Sequence, residues 1–307
     1  MTTFIVRRIF QLIPVLFGVT LFVFLLMHLT PGNPAQIMAG EQAPPEVVER
    51  IENRLGLNDP LPVQYVNFVT RIAQLDFGVS MRSNLPVIEE IKPKFWVTLE
   101  LAVYSTILSI FIGLIAGIIS AVRKYSASDV TIMIIALFGL SMPNFWLGLM
   151  LMQWFSINLN WLPPTGWGSG AQIILPVITL GTAGAAVIAR MTRSSMLEVI
   201  SQDYIRTARA KGVRERVITY RHALKNALIP VVTVTGLQFG TLLSGTVLTE
   251  SVFAINGLGR YVIDSIMARD FPAVQASIII IAVLFVGVNL IVDISYRFLN
   301  KRIDLNE

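Results

Sequence analysis

The sequence predicts an all-α polytopic membrane protein with six transmembrane helices. Three observations predict this class. Apolar residue types make up 54% of the 307 residues and charged types only 14%, whereas a soluble domain carries about 25% charged residues. The mean hydropathy is +0.68, which is too high for a chain that must cover itself with a water-facing surface. Six stretches are long enough to cross the bilayer, which takes about 20 mostly apolar residues for roughly 30 Å of hydrocarbon.

The predicted spans are separated by one long segment on each side of the membrane. The spans are Ile9–Leu29, Val97–Val122, Val130–Leu159 with an interruption at Pro143, Gln172–Ala189, Ala227–Thr249 and Val274–Tyr296. Residues 30–96 form a predicted α-rich insert with one helix from Pro44-Pro45 to Gly56 and a second from Pro62 to Leu75. We therefore divide the chain into residues 1–29, the insert 30–96, and a five-helix core 97–307 that contains a loop at 190–228.

Positive charge predicts the orientation, because cytoplasmic loops are enriched in Lys and Arg. Arg7 and Arg8 precede the first span, and the short loop after the second span contains Arg123 and Lys124. The densest group of basic residues lies in the loop 190–228. Both termini and this loop are therefore expected in the cytoplasm, and the insert is expected outside the cell.

The residue types that most catalytic and metal sites need are scarce. The chain has no Cys and only two His, at positions 28 and 222, so thiolate chemistry is excluded and a His-rich zinc site is not expected. No Gly-x-x-x-x-Gly-Lys-Ser/Thr sequence occurs. Asp76-Phe77-Gly78 matches a kinase triplet but lacks the accompanying kinase motifs. We expect that the chain is not an enzyme, binds no cofactor or metal itself and does not bind nucleic acid.

The strongest functional signal lies between the fourth and fifth spans. The run from Asp203 to Gly212 predicts a short cationic helix, with Ser201 as a candidate N-cap, an acid in the first turn and Gly212 at the position that reverses the chain. A second helix, from Arg214 to Leu228 and ending before Pro230, is expected to lead into the fifth span. Spacing alone leaves two interpretations open: a lever that another protein moves, and a solvated basic loop beside anionic lipid headgroups.

This loop carries a resemblance to a known family. The run Asp203–Gly212 and its continuation Arg221–Pro230 resemble the cytoplasmic signature loop of binding-protein-dependent ABC importer permeases, most closely the dipeptide, oligopeptide and nickel branch. The general signature begins Glu-Ala-Ala where this chain has Arg206-Thr207-Ala208, a departure that the peptide branch shares. Leu55–Leu61, Leu75–Ser80 and Asn256–Arg260 resemble the first permease subunit of that branch, which carries the long external insert.

The resemblance implies the type I ABC importer permease fold and a transporter of several subunits. It implies half of a pathway for di- or oligopeptides, with glutathione or nickel chelates as alternative substrates. The implied partners are a second permease, two cytoplasmic ATPases that bind ATP and Mg, and an extracytoplasmic substrate-binding protein, all at the bacterial plasma membrane. The residues implied to couple to the ATPases are Asp203, Tyr204, Arg206, Thr207, Ala208, Arg209, Ala210, Lys211 and Gly212. A stand-alone secondary transporter or channel remains the alternative, which would show an inverted repeat and deep charges.

Few charges fall within the predicted spans, and those few lie near span ends. A charge at the bilayer centre costs about 2.5 to 3.5 kcal/mol on insertion scales, so each is either an interface anchor or a functional residue. A weakly charged pathway suits substrates with varied side chains. The candidate pathway or gate residues are Glu100, Asn144, Gln238, Ser244 and Glu250. Gly236, Gly240 and Gly245 form a strip expected to face the pore or a second permease.

Overall fold

The computed structural model describes residues 2–29, 32–40 and 42–299, and this part of the chain is built from helices joined by turns. Five of its helices are long and apolar enough to cross a membrane, and the count is six when one bent pair is taken as a single span. That pair, Ala127–Ser141 with Asn144–Asn158, bends by 102° at the predicted interruption beside Pro143. The predicted all-α polytopic fold class is confirmed.

The helices are numbered in chain order. They are α1 (Thr2–Leu29), α2 (Pro34–Ala39), α3 (Pro45–Leu55), α4 (Leu61–Ala73), α5 (Val87–Val122), α6 (Ala127–Ser141), α7 (Asn144–Leu151, continued by a π-helical segment Met152–Asn158), α8 (Gly170–Ile200), α9 (Asp203–Ala210), α10 (Glu215–Val217, continued by a π-helical segment Ile218–Ala223), α11 (Leu224–Gly245), α12 (Val247–Val252), α13 (Leu258–Met267) and α14 (Phe271–Leu299).

The chain divides into two compact units. The first contains Met1–Trp96 with Gly257–Leu284, and the second contains Val97–Asn256 with Phe285–Glu307. In the first unit an apolar cluster joins the start of α5 to α13 and α14 through Val87, Leu258 and Ala273. The second unit has two clusters, one around Leu101 and Phe253, and the other beneath α9.

Three predicted boundaries differ from the structure because helices continue past the membrane-spanning stretches. The second span begins inside a helix that starts ten residues earlier, at Val87. The fourth continues as helix to Ile200, so the predicted loop 190–228 is mostly helical. The predicted end before Pro230 is wrong, because Pro230 lies inside α11. Membrane helices tolerate an internal proline where neighbouring groups satisfy the freed carbonyl.

The glycine strip of the fifth span packs inside its own unit. A Cβ added to Gly236 would lie 2.1 Å from Val292 Cγ2, and one added to Gly240 would lie 3.4 Å from a ring carbon of Phe285. Both positions therefore face α14, and the expectation that they face the pore or a second permease is wrong for these two. Small residues serve here in their common membrane role, which is to let two helix backbones approach closely.

Candidate functional site

Helix α9 is short and ends in a complete C-terminal capping motif. It spans eight residues, Asp203–Ala210, which is about two turns. The Val213 N–H donates to the Ala208 carbonyl at 3.2 Å and the Gly212 N–H to the Arg209 carbonyl at 2.9 Å. Gly212 has φ +75°, a left-handed conformation that glycine adopts at little cost. The predicted helix and its glycine stop are confirmed.

The predicted N-cap of this helix is wrong. Ser201 lies at the end of α8, where its hydroxyl donates to the Glu198 carbonyl at 2.7 Å. Gln202 occupies the N-cap position, without a side-chain capping bond. Only two residues therefore separate α8 from α9, and the chain turns sharply between them.

One face of α9 is buried against the helix that leads into the fifth span. Ile205 is fully buried, in a cluster with Met196 of α8, Ile218 and Ala227, and Ala208 packs on the same cluster. One polar contact adds to it. Asn226 Nδ2 donates to the Tyr204 hydroxyl oxygen at 2.7 Å. The helix is thus fixed to the base of α11 and does not hang free as a loop.

The rest of α9 is exposed and carries a net positive charge. Exposed side chains there are those of Asp203, Tyr204, Arg206, Thr207, Arg209, Ala210 and Lys211. Arg209 Nε donates to Glu215 Oε1 at 2.7 Å. This bond raises the pKa of Arg209 above its ordinary value, and the smaller effect of burial acts in the opposite direction. Of the nine predicted coupling residues, Ala208 alone lies half-buried on the inner side.

A buried ion pair ties together α5, α6 and α8. Arg193 donates to both carboxylate oxygens of Asp129, at 2.7 and 2.8 Å. The Ser120 hydroxyl also donates to this carboxylate, and the Tyr125 N–H does so at 2.9 Å. Asp129 is 2% exposed, so its charge is offset by the guanidinium and by both other donors. The ends of α5 and α8 and the start of α6 are joined at this one carboxylate.

A cavity of about 260 Å³ lies among α5, α7, α8 and α11 within the second unit. Asn144 and Gln238, two predicted pathway residues, both line it. The other lining residues are Thr106, Ser109, Leu180, Ala183, Gly184, Ile188, Thr235, Thr241 and Leu242. None of these carries a formal charge, and Thr106 Oγ1 is a buried polar atom without a hydrogen-bond partner in the described part of the chain. The cavity therefore offers hydroxyl and amide groups, with one hydroxyl not engaged.

Two other predicted pathway residues, Glu250 and Glu100, are not among the described residues that line this cavity. Glu250 is fully buried near the junction of α11 and α12, where the hydroxyls of Thr98 and Thr246 donate to its Oε1 at 2.6 and 2.8 Å. Glu250 is therefore not an exposed anchor at the membrane interface. Glu100 is exposed and accepts a bond from Trp167 Nε1 at 3.2 Å. The side chain of Ser244 lies outside the described residues.

Two features of the site were not predicted from the sequence. The Asp129–Arg193 pair joins residues 64 positions apart, and no local pattern signals such a contact. Ile205 had a weak signal, since it recurs with Ala208 and Val213 at helical spacing. Ile205 packs α9 against its neighbours, and the Asp129–Arg193 pair joins α6 to α8.

The fold and the site define a polytopic helical permease that presents a short, firmly held helix on one side of the membrane. Residues 113–305 match the family described as binding-protein-dependent transport system inner membrane component. Residues 1–102 match the N-terminal region described for membrane components of the same transport systems. The chain belongs to this family, and it is a membrane-spanning permease subunit of an ABC importer.

Individual relatives are similar along the whole chain. The dipeptide transport system permease protein DppB of Alkalihalophilus pseudofirmus is 46% identical, with 99% of each chain covered. The glutathione transport system permease protein GsiC of Escherichia coli K12 is also 46% identical, again with 99% of each covered. The inward-facing structure of the MetNI methionine ABC transporter matches the fold with a TM-score of 0.60 and 21% identity, over 69% of this chain and 97% of that one.

Proposed function

We propose that this chain forms half of the translocation pathway of an ATP-driven importer of di- and oligopeptides. The observation that carries the proposal is the 46% identity to a dipeptide permease along essentially the whole chain. Substrate, partner subunits and orientation are all part of the proposal. The termini and α9 lie in the cytoplasm of the cell, and residues 30–96 lie outside its plasma membrane.

The cavity chemistry supports a peptide substrate. Peptide groups are neutral donors and acceptors, and the hydroxyls and amides of Thr106, Asn144 and Gln238 can bond to them without selecting a side-chain charge. A fixed charge in the cavity would favour one class of side chain and repel another. A neutral polar lining therefore suits an importer that must pass peptides of varied sequence.

The exposed face of α9 supports coupling to ATPase subunits. We infer that this face docks in a groove on a cytoplasmic ATPase, which binds ATP and Mg. Because Ile205 fixes α9 to the base of α11, closure of the ATPase pair displaces α11, whose residues Thr235, Gln238 and Thr241 line the cavity. The pathway then opens alternately to either side. The complete transporter contains a second permease, two ATPases and an external substrate-binding protein.

Glutathione is the second candidate substrate, because a glutathione permease is equally similar to this chain. Nickel chelates are a third possibility from the branch resemblance. Glutathione is itself a small peptide, so the neutral cavity fits it as well. Selection between these substrates is expected to reside largely in the external binding protein.

The test is uptake into proteoliposomes that contain the complete transporter, with its binding protein outside. ATP-dependent accumulation of a labelled dipeptide, competed by other dipeptides, supports the proposal. Accumulation of glutathione alone, or of a nickel chelate alone, replaces the substrate assignment and leaves the permease assignment intact. Uptake that continues with a hydrolysis-deficient ATPase subunit contradicts the ATP-driven mechanism.

A further inference from the structure

Helix α4 of the insert packs on the membrane-spanning part of α1. The Tyr65 and Thr20 hydroxyls share a hydrogen bond of 2.9 Å. The Tyr65 ring lies edge-on to the rings of Phe17 and Phe24, with centroid distances of 5.9 and 5.4 Å. Further along α4, the Phe68 ring lies 5.7 Å from that of Phe24. Residues 17, 20 and 24 form one face of α1, and α4 packs on it.

These contacts define how deep α4 lies. The apolar part of α1 runs from Phe10 to Leu29, and Thr20 is nine residues before its end, or about 13 Å at 1.5 Å per residue. Phe24 is five residues before that end, or about 8 Å. The α4 backbone near Phe68 is therefore level with the outer part of the span, and the Tyr65 side chain reaches towards its middle. Helices that lie along a membrane surface bury their apolar face by about 5 to 10 Å.

The side chains of α4 are arranged as such a helix requires. Gln64, Asn67 and Arg71 recur every three to four residues and form one polar strip. On the side opposite to this strip, Val66 recurs with Val69 and Ala73 at helical spacing, and its side chain is 62% exposed. No residue of α4 is buried, so its apolar surface is covered on the α1 side only. Apolar side chains of α1 at the same level are also open, since Phe22 is 61% exposed.

We propose that α4 is an interfacial membrane helix whose Val66 side contacts the acyl chains of the leaflet on the side of the insert. Lipid is the occupant that the geometry favours, because this apolar side lies at the depth of a membrane-spanning helix whose own apolar side chains are exposed at the same level. Arg71 lies on the polar strip near the C-terminal end of the helix, where its guanidinium bonds to Asp76 at 2.9 Å. That ion pair holds the pKa of Asp76 below its ordinary value, mainly through the hydrogen bond from Arg71, as suits a pair at the aqueous border. The insert is then not a purely water-borne cap, because one of its helices lies in the membrane border.

The test uses the absence of cysteine from the chain. Val66→Cys and Asn67→Cys place a thiol on adjacent residues, about 100° apart around the helix, and Asn67 is the matched control on the polar strip. Each is spin-labelled in the complete transporter in lipid bilayers, and collision with dissolved oxygen is compared with collision with a water-soluble nickel chelate. Oxygen should dominate severalfold at position 66, and the nickel chelate at position 67.

Two results overturn the proposal. Dominance of the nickel chelate at both positions means that α4 lies in water. Low collision with both reagents at position 66 means that protein covers this face. Pro62→Cys, an exposed position one turn before Val66 on the same side, repeats the measurement should the first variant fail to assemble, and the same results decide it. The readout does not depend on which substrate is imported.

Discussion

Truncation of Ile205 should release α9 from the base of the fifth span. The side chain is fully buried in the cluster beneath α9. Ile205→Ala removes three carbon atoms, or about 2.4 kcal/mol at about 0.8 kcal/mol for each buried methylene, and the remaining cavity adds to this. Core truncations of this kind cost about 2 to 5 kcal/mol. At 1.4 kcal/mol for each tenfold change, a loss of about 2 to 4 kcal/mol shifts the balance between held and released α9 by roughly 30- to 1,000-fold.

Amide hydrogen exchange in the complete transporter measures this shift directly. Exchange in a helix reports its local opening, so the amides of Asp203–Ala210 should exchange roughly 30-fold faster or more in the variant. Val217→Ala is the matched control, because it is an aliphatic truncation nearby at a side chain that is 38% exposed. We also expect the variant to hydrolyse ATP with little accompanying uptake. Exchange within about twofold of the wild type, or equal acceleration by the control, refutes the anchoring role of Ile205.

Three further substitutions test other contacts, each by thermal unfolding of the purified transporter. Asp129→Asn leaves a cation without its partner and should cost about 3 kcal/mol, the lower end for buried pairs, because the Arg193 side chain is 24% exposed; the exposed control Asp203→Asn should cost less than about 1 kcal/mol. Gly117→Ala places a Cβ 2.5 Å from Thr192 Cβ and should cost about 1 to 3 kcal/mol, whereas Gly18→Ala meets no atom within 4 Å and should not destabilise. Tyr261→Phe removes a bond of 2.6 Å to Glu90 and should cost about 1.5 to 3 kcal/mol. Burial raises the pKa of Tyr261. The stabilisation that its neutral hydroxyl gives the folded protein is therefore fully present below the unfolded pKa near 10 and is lost as pH rises above it. The Phe variant should not show this loss. An unchanged midpoint for any of the three contradicts the corresponding contact.

The membrane-spanning part of the fold could be predicted, because crossing hydrocarbon requires long apolar stretches that composition alone reveals. The parts beyond the bilayer could not be delimited in the same way. α8 continues to Ile200 through residues that are too polar for a hydropathy window but remain compatible with a helix. Ser201 was misplaced as an N-cap for this reason. The prediction that a helix ends before Pro230 applied the rule that proline breaks soluble helices, whereas membrane helices accept an internal proline.

The candidate site was predicted unevenly. Gly212 was predictable because a positive φ at a helix end restricts the residue type. Asn144 and Gln238 line one cavity because helices far apart in sequence pack together, and sequence spacing could not show this. The burial of Glu250 was missed for a similar reason: its partner Thr98 is 152 positions away. Roles of these residues in transport and coupling remain predictions.

In the proposed mechanism, the uninterrupted helical run from Glu215 to Gly245 sets the size of the movement that reaches the cavity. Ile218, which packs beside Ile205, is twenty residues from Gln238, or about 30 Å along the axis. A tilt of about 10° pivoting at one of these residues carries the other sideways by about 5 Å at this length, roughly the breadth of a peptide backbone. In that mechanism, a modest rotation at the base of this run is enough to open or occlude the cavity that Gln238 lines.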